Sequence, residues 1–160
     1  MWQKILSAFM AIQVFFTLLP FATWGTGPEK AYLSVLEELI GNADSIKHIS
    51  VDPENANTKD NPKLVEALRI FCKNRDKTLY MESLSELFKK GLLEEGENGF
   101  CIGGEPLAEI SFREIKLTKN SFTGVVGWLR GDCWGAGYEY KVKRIGFIWV
   151  IVSKESAWVS

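Results

Sequence analysis

The longest apolar stretch of the chain comes first. From Ile5 to Ala22 it is broken only by Ser7, Gln13, Thr17 and Pro20, and Lys4 is the one charge ahead of it. Beyond it the apolar positions take up helical spacing. In "GPEKAYLSVLEELIGN", Tyr32, Val35, Leu36, Leu39 and Ile40 share one face. Pro28 suits a first helical position and Gly41 a stop, so a helix is predicted between them. "ADSIKHISV" is too short to assign, and "DPENANTKDN" reads as a polar loop. Asn61-Pro62 then offers a cap and first position for a second helix, with Leu64, Val65, Leu68, Phe71 and Cys72 as its buried stripe. "KNRDK" interrupts. A third helix is expected from a cap at Thr78, with Tyr80, Leu84, Leu87 and Phe88 inward and an end at Gly91. "EEGENG" reads as a turn.

From there the period shortens to two. "LAEISFREIKL" alternates at Ile110 and Phe112, then changes phase to Ile115 and Leu117. One extra residue near Arg113-Glu114, a β-bulge, accounts for the shift, because it re-aims every side chain after it. Lys119-Asn120 makes a turn. "SFTGVVGWL" alternates at Phe122, Val126 and Trp128. "YEYKVKR" sets Tyr138, Tyr140 and Val142 against Glu139, Lys141 and Lys143. Gly146 turns the chain. "FIWVIV" is apolar on both faces and is therefore placed in the middle of the sheet. "AWVS" is a candidate last short strand. Helices followed by strands predict an α+β fold: N-terminal helices packed on a curved antiparallel meander of four to five strands.

This order, and the closing hairpin "YEYKVKRIGFIWVIV", resembles the nuclear-transport-factor-2-like (cystatin-like) group over roughly residues 61–160. The resemblance implies helices packed into the concave face of a bent sheet. Members of that group range from isomerases to non-catalytic binding and assembly domains, so the fold does not choose a function.

The leader has the order of a secretory signal peptide: charge, apolar run, then small residues at Thr23 and Gly25. Pro20 ends the apolar segment just ahead of them. The expected organisation is a signal peptide over 1–25 and a single α+β domain over 26–160. The alternatives are a membrane anchor, since about 18 residues is the short end of a span, and a buried core helix. The rest of the chain is expected to be exported, periplasmic or extracellular. Membrane association is expected only through Ile5–Ala22, if it is uncleaved.

At 160 residues with a net charge of −1, the chain lacks the cationic excess that a nucleic-acid surface needs. Charge is divided, however. Residues 26–106 hold 10 Lys/Arg against 15 Asp/Glu, and residues 107–160 hold 8 against 5.

Cys133 in "GDCWGAGYEY" has the look of a nucleophile segment, because Cys-Trp after a glycine resembles papain-like and transglutaminase-like enzymes. Those families set the Cys at a helix start and the general base after it. Here the segment runs on as a strand, and the only histidine, His48, precedes it. Both turn-flanking cysteines instead suggest a Cys101–Cys133 disulfide, with Cys72–Cys101 as the next pairing and free thiols if the chain stays inside the cell. Cys72 belongs to a helical stripe, where a thiol acts as a small hydrophobe. No catalytic residue, metal site or cofactor is assigned. The sequence has no Cys-x-x-Cys and no His pair, and the loop over residues 52–61 lacks the EF-hand glycine. His48 reads as a structural imidazole, with an acid–base pair to Asp44 or Asp52 as the alternative. The aromatics Phe122, Trp128, Tyr138, Tyr140 and Trp149, with Trp158, read mainly as core. The first five are also the candidate lining of an apolar pocket, with tyrosine hydroxyls as polar handles.

The functional expectation is an exported, non-catalytic protein that binds a partner protein or an apolar small ligand at the cell envelope. The alternative is a pocket enzyme of isomerase or hydrolase type, using a carboxylate or Tyr138/Tyr140 in the sheet concavity. A third reading is a membrane-tethered domain held by Ile5–Ala22.

Overall fold

The computed structural model describes residues 23–97, 99–131 and 135–159. Its frame is four long antiparallel strands: β6 (Glu105–Leu117), β7 (Ser121–Leu129), β8 (Gly135–Ile145) and β9 (Ile148–Val159). Five short strands extend it. β1 (Thr23–Trp24) pairs antiparallel with β9 at one edge. At the other edge β2 (His48–Ser50) lies parallel between β6 and β3 (Thr78–Tyr80). β4 (Glu94–Gly96) and β5 (Gly99–Ile102) form a ribbon on the start of β6. The helices are α1 (Glu29–Ile40), α2 (Pro62–Asn74) and α3 (Leu84–Lys89), with a 3-10 turn at Thr58–Asp60.

The expected fold of helices first, then a four- to five-strand meander, is therefore corrected. The described sheet has nine strands, two of its pairings are parallel, and strands alternate with helices along the chain. The physical reason lies in strand length. β2 and β3 have three residues each, too few for a period of two to show. The parallel crossover from β2 to β3 runs through α2. Thr78–Tyr80 is thus strand rather than the opening of a helix. The third helix starts later, at the Ser83–Glu86 capping box, and leaves Phe88 70% exposed. β9 is also not central, since its outer neighbour is the two-residue β1. The expected last strand "AWVS" is not separate: residues 157–159 are the end of β9 at and beyond a bulge, and Ser160 lies outside the described residues.

Other expectations hold. Pro28 caps α1 and Gly41 ends it. The Asn61 side chain accepts a hydrogen bond from the Leu64 amide, with Pro62 opening α2. The phase change in β6 is a bulge between Arg113 and Lys116, with Glu114 at φ +53°. α1 and α2 cover one face of the sheet. Tyr32, Leu36, Leu68 and Phe71 from the helices meet Ile110, Phe112, Phe122 and Val126 from the strands in one core. Tyr32 packs edge-on to Phe122 at 5.2 Å and Phe112 at 6.2 Å. The opposite face carries the other register: Leu107, Glu109, Ser111 and Arg113 on β6, and Val125, Gly127 and Leu129 on β7.

Candidate binding cleft

The aromatics expected to line a pocket belong to the helix-covered face. Phe122, Tyr140 and Trp149 are fully buried, and Trp128 and Tyr138 pack against the same core. None of the cavities seen among the described residues is lined by these five. The Tyr140 hydroxyl donates to the Glu38 carboxylate, which also accepts from Lys154 Nζ at 2.7 Å. Lys154 Nζ in turn sits 3.8 Å from the Tyr138 ring centre. Burial, with the Glu38 carboxylate beside it, pushes the Tyr140 hydroxyl far above its ordinary pKa. Tyr140 therefore fastens α1 to the sheet directly, and Tyr138 supports it through Lys154.

Three clefts surround the polar loop over residues 52–61, the first of them against the opposite face of β6. A cleft of about 480 Å³ is walled by Asp52, Glu109, Ser111, Arg113, Leu129 and Trp158. A second, of about 520 Å³, continues towards Tyr32, Asn61 and Ile115. Asn55, Ala56, Phe112 and Arg113 line both, so Arg113 stands between them. A third, of about 330 Å³, lies behind the loop, against Ser83, Glu86 and Lys89.

The loop is held in shape by Asp52. Its carboxylate accepts from the Glu54 amide at 2.9 Å, the Asn55 amide at 3.3 Å and Asn55 Nδ2 at 2.8 Å. This is the Asx-turn chemistry that lets a short polar side chain replace backbone pairing. Asp52 is thus spent on structure, though its charge remains. Glu109 is half-buried on β6, and burial first, then the charge of Asp52, raises its pKa from 4.5; a hydrogen bond from the Leu84 amide works the other way. It holds a proton more readily than an exposed glutamate and can donate as well as accept. Arg113 is exposed and, among the described residues, has no carboxylate within ion-pair distance.

The aromatic wall is Trp158, seated over glycine. Gly127 on β7 and Gly137 on β8 share its register row. A Cβ at Gly137 would fall 2.0 Å from Trp158 Nε1, one at Gly127 2.6 Å from Cζ2, and one at Gly135 3.2 Å from Cζ3. The three glycines clear the floor on which the indole rests. Trp158 stood out in the sequence only as one aromatic among several. The signal for its role was the glycine in "TGVVGW" and "GAGY", which weakens a strand unless something lies close above it.

Cys72 is buried in α2, and Cys101 in β5 has no sulfur partner among the described residues, its Sγ 3.5 Å from the Glu94 carbonyl oxygen. Cys133 lies outside the described residues, as does the leader over residues 1–22, so the Cys101–Cys133 pairing stands as a proposal. His48 packs edge-on to Tyr80, its Nδ1 buried without a partner among the described residues. It forms no hydrogen bond to Asp44 or Asp52 there. No group of three or more metal-ligating side chains occurs among the described residues, nor does any helix long and apolar enough to cross a membrane. No family model, curated protein or solved structure matches the chain.

Proposed function

We propose that the protein is a non-catalytic binding module of the cell envelope, and that its ligand is a small saccharide held in the cleft of Trp158 and Arg113. One observation carries the reading: a tryptophan lying over a glycine floor at the wall of a cleft whose lining mixes apolar Ala56, Ile110, Phe112 and Leu129 with polar Asp52, Asn55, Glu109, Ser111 and Arg113. The indole supplies an apolar platform for a sugar ring's C–H face. Ser111, Asn55, Glu109 and Arg113 supply donors and acceptors for its hydroxyls. An apolar ligand fits less well, because the helix-covered face is filled by core side chains. Kinship with the nuclear-transport-factor-2-like group is a proposal that rests on the closing β8–β9 hairpin.

Calorimetric titration with a panel of neutral trisaccharides (maltotriose, cellotriose and tri-N-acetylchitotriose) tests the reading. Binding of one of them, lost in Trp158→Ala and weakened tenfold or more in Arg113→Ala, supports it. Absence of heat with all three, or binding indifferent to both substitutions, overturns it.

One observation favours a second reading, the pocket enzyme. Glu109 is a carboxyl group with a raised pKa beside a second carboxylate in a cleft of several hundred cubic ångströms. In that reading Glu109 is a general acid–base. Turnover of a bound trisaccharide, abolished in Glu109→Gln while binding persists, would replace the binding-module reading.

A further inference from the structure

The domain has an apolar tip with a basic collar at the end where the leader joins it. Thr23 and Trp24, the first described residues, are already β1, paired with Trp149 and Ile148. The Thr23 hydroxyl donates to the Lys30 carbonyl at 2.6 Å and lies 2.8 Å from Ser34 Oγ, a fully buried hydroxyl. The Gly25 amide donates to the Phe147 carbonyl at 2.8 Å. The apolar run Ile5–Ala22 therefore ends on the residue before a strand built into the sheet, with no linker between them. Cleavage after Gly25 would take β1 away with the leader.

Beside β1 is the β8–β9 hairpin, turned tightly at Gly146 with φ +61°. The Arg144 amide donates to the Asn120 carbonyl, which brings the β6–β7 turn to the same end. Large apolar side chains point outward here: Trp24 is 79% exposed, Phe147 74% and Ile145 48%. Lys116, Lys119, Lys143 and Arg144 surround them, and residues 23–28, 115–121 and 142–149 contain no acidic side chain. The opposite end of β6 and its ribbon carry Glu94, Glu95, Glu97 and Glu105 instead. The domain is thus polarised along its strands, positive where the apolar run joins it.

We propose that this end is seated on an anionic bilayer, with Ile5–Ala22 kept on the chain as its anchor. Trp24, Ile145 and Phe147 enter the interface, where amphipathic aromatics are favoured. Lys119, Lys143 and Arg144 lie at the headgroups, attracted by their negative surface potential. A bilayer fits both halves of the patch, because the apolar tip needs hydrocarbon and the collar needs anions.

The test uses the full chain, made in an export-competent host. Intact mass of the membrane-extracted protein should include residues 1–22; a soluble product lacking them overturns the proposal. The extracted chain is then placed in phosphatidylcholine/phosphatidylglycerol vesicles with brominated acyl chains, and Trp24 is read as the fluorescence lost in Trp24→Phe. Quenching of that component by brominated chains, with shelter from aqueous iodide, is the expected result. A component that iodide quenches and bromine does not overturns the proposal. So does one sheltered from both, as burial under a second copy or under the leader would give. Lys119→Glu/Lys143→Glu/Arg144→Glu should cut the bromine quenching at least twofold, as should omission of phosphatidylglycerol. Unchanged quenching in both would remove the headgroup contact.

Discussion

Replacing Gly137 by alanine adds one methyl group to the middle of a strand, and its effect is fixed by what lies above. The new Cβ would sit 2.0 Å from Trp158 Nε1 and 2.3 Å from Cε2, against the 3.5–4.0 Å of ordinary contact. The overlap is too large for side-chain relaxation alone, so the indole must tilt off the floor or β8 must move. The backbone raises no objection, since Gly137 is not in the left-handed region. Relief from glycine's flexibility should by itself stabilise a strand by about 0.5–1 kcal/mol. Overpacking costs about 1–3 kcal/mol. The clash wins, and Gly137→Ala should destabilise the fold by about 1–2 kcal/mol in urea unfolding followed by circular dichroism. The decisive arm is the background. In Trp158→Ala there is no indole to strike, so the same substitution should change sign and stabilise by about 0.5–1 kcal/mol. An equal cost in both backgrounds would refute the seating of Trp158 on glycine. Gly124→Ala is the control. Its nearest neighbour is the flexible tip of Ile115 at 2.3 Å, which can swing aside, and its cost should stay below about 1 kcal/mol.

Other outcomes follow from the same geometry. Asn61→Ala removes both the α2 cap and the donor to the Tyr32 hydroxyl at 2.7 Å, and should cost about 1–2 kcal/mol in a urea melt; a loss under about 0.3 would contradict the dual role. Burial pushes the Cys72 thiol up to about 11. In the native protein at pH 8, iodoacetamide should therefore leave Cys72 unlabelled until urea is added. The same mass spectra show whether Cys101 labels freely or is held by Cys133. Glu109 titrates above its unfolded value, so its ionisation weighs against the fold at high pH and not at low pH. Glu109→Gln should therefore stabilise at neutral pH, the gain shrinking as pH falls through the raised pKa and vanishing below the ordinary carboxylate range near 4.5. A gain that grows on acidification would reverse the assigned sign.

Sequence patterns revealed the elements that stabilise themselves over many residues. α1 and α2 have full apolar stripes and local caps, and β6 to β8 alternate long enough to show their faces. Even the bulge at Arg113–Lys116 left a readable phase change. The short strands were illegible for a physical reason. His48–Ser50 and Thr78–Tyr80 become strands only because β6 offers an edge, a property of the assembled sheet and not of three residues. The β4–β5 ribbon was hidden similarly, although Gly103-Gly104, at φ +57° and +81°, is a two-residue hairpin signal for the turn that joins β5 to β6. The cleft escaped notice because its wall depends on residues far apart in the chain. Trp158 gains meaning only when register sets it over Gly127 and Gly137. Glu109 gains its raised pKa from burial in the assembled fold first, and then from Asp52 folded back beside it. The tyrosines of β8 drew attention as polar handles, but Glu38 from α1 and Lys154 from β9 occupy them.

The measurement that bears most directly on the account is a heteronuclear NMR titration of the protein with the same trisaccharides. Saturable shifts at the Trp158 indole N–H and the amides of Asn55, Ser111 and Arg113, absent in Gly137→Ala, are the predicted result. Shifts confined to the helix-covered face, or none at any of these positions, would contradict the assignment of the cleft as the binding site.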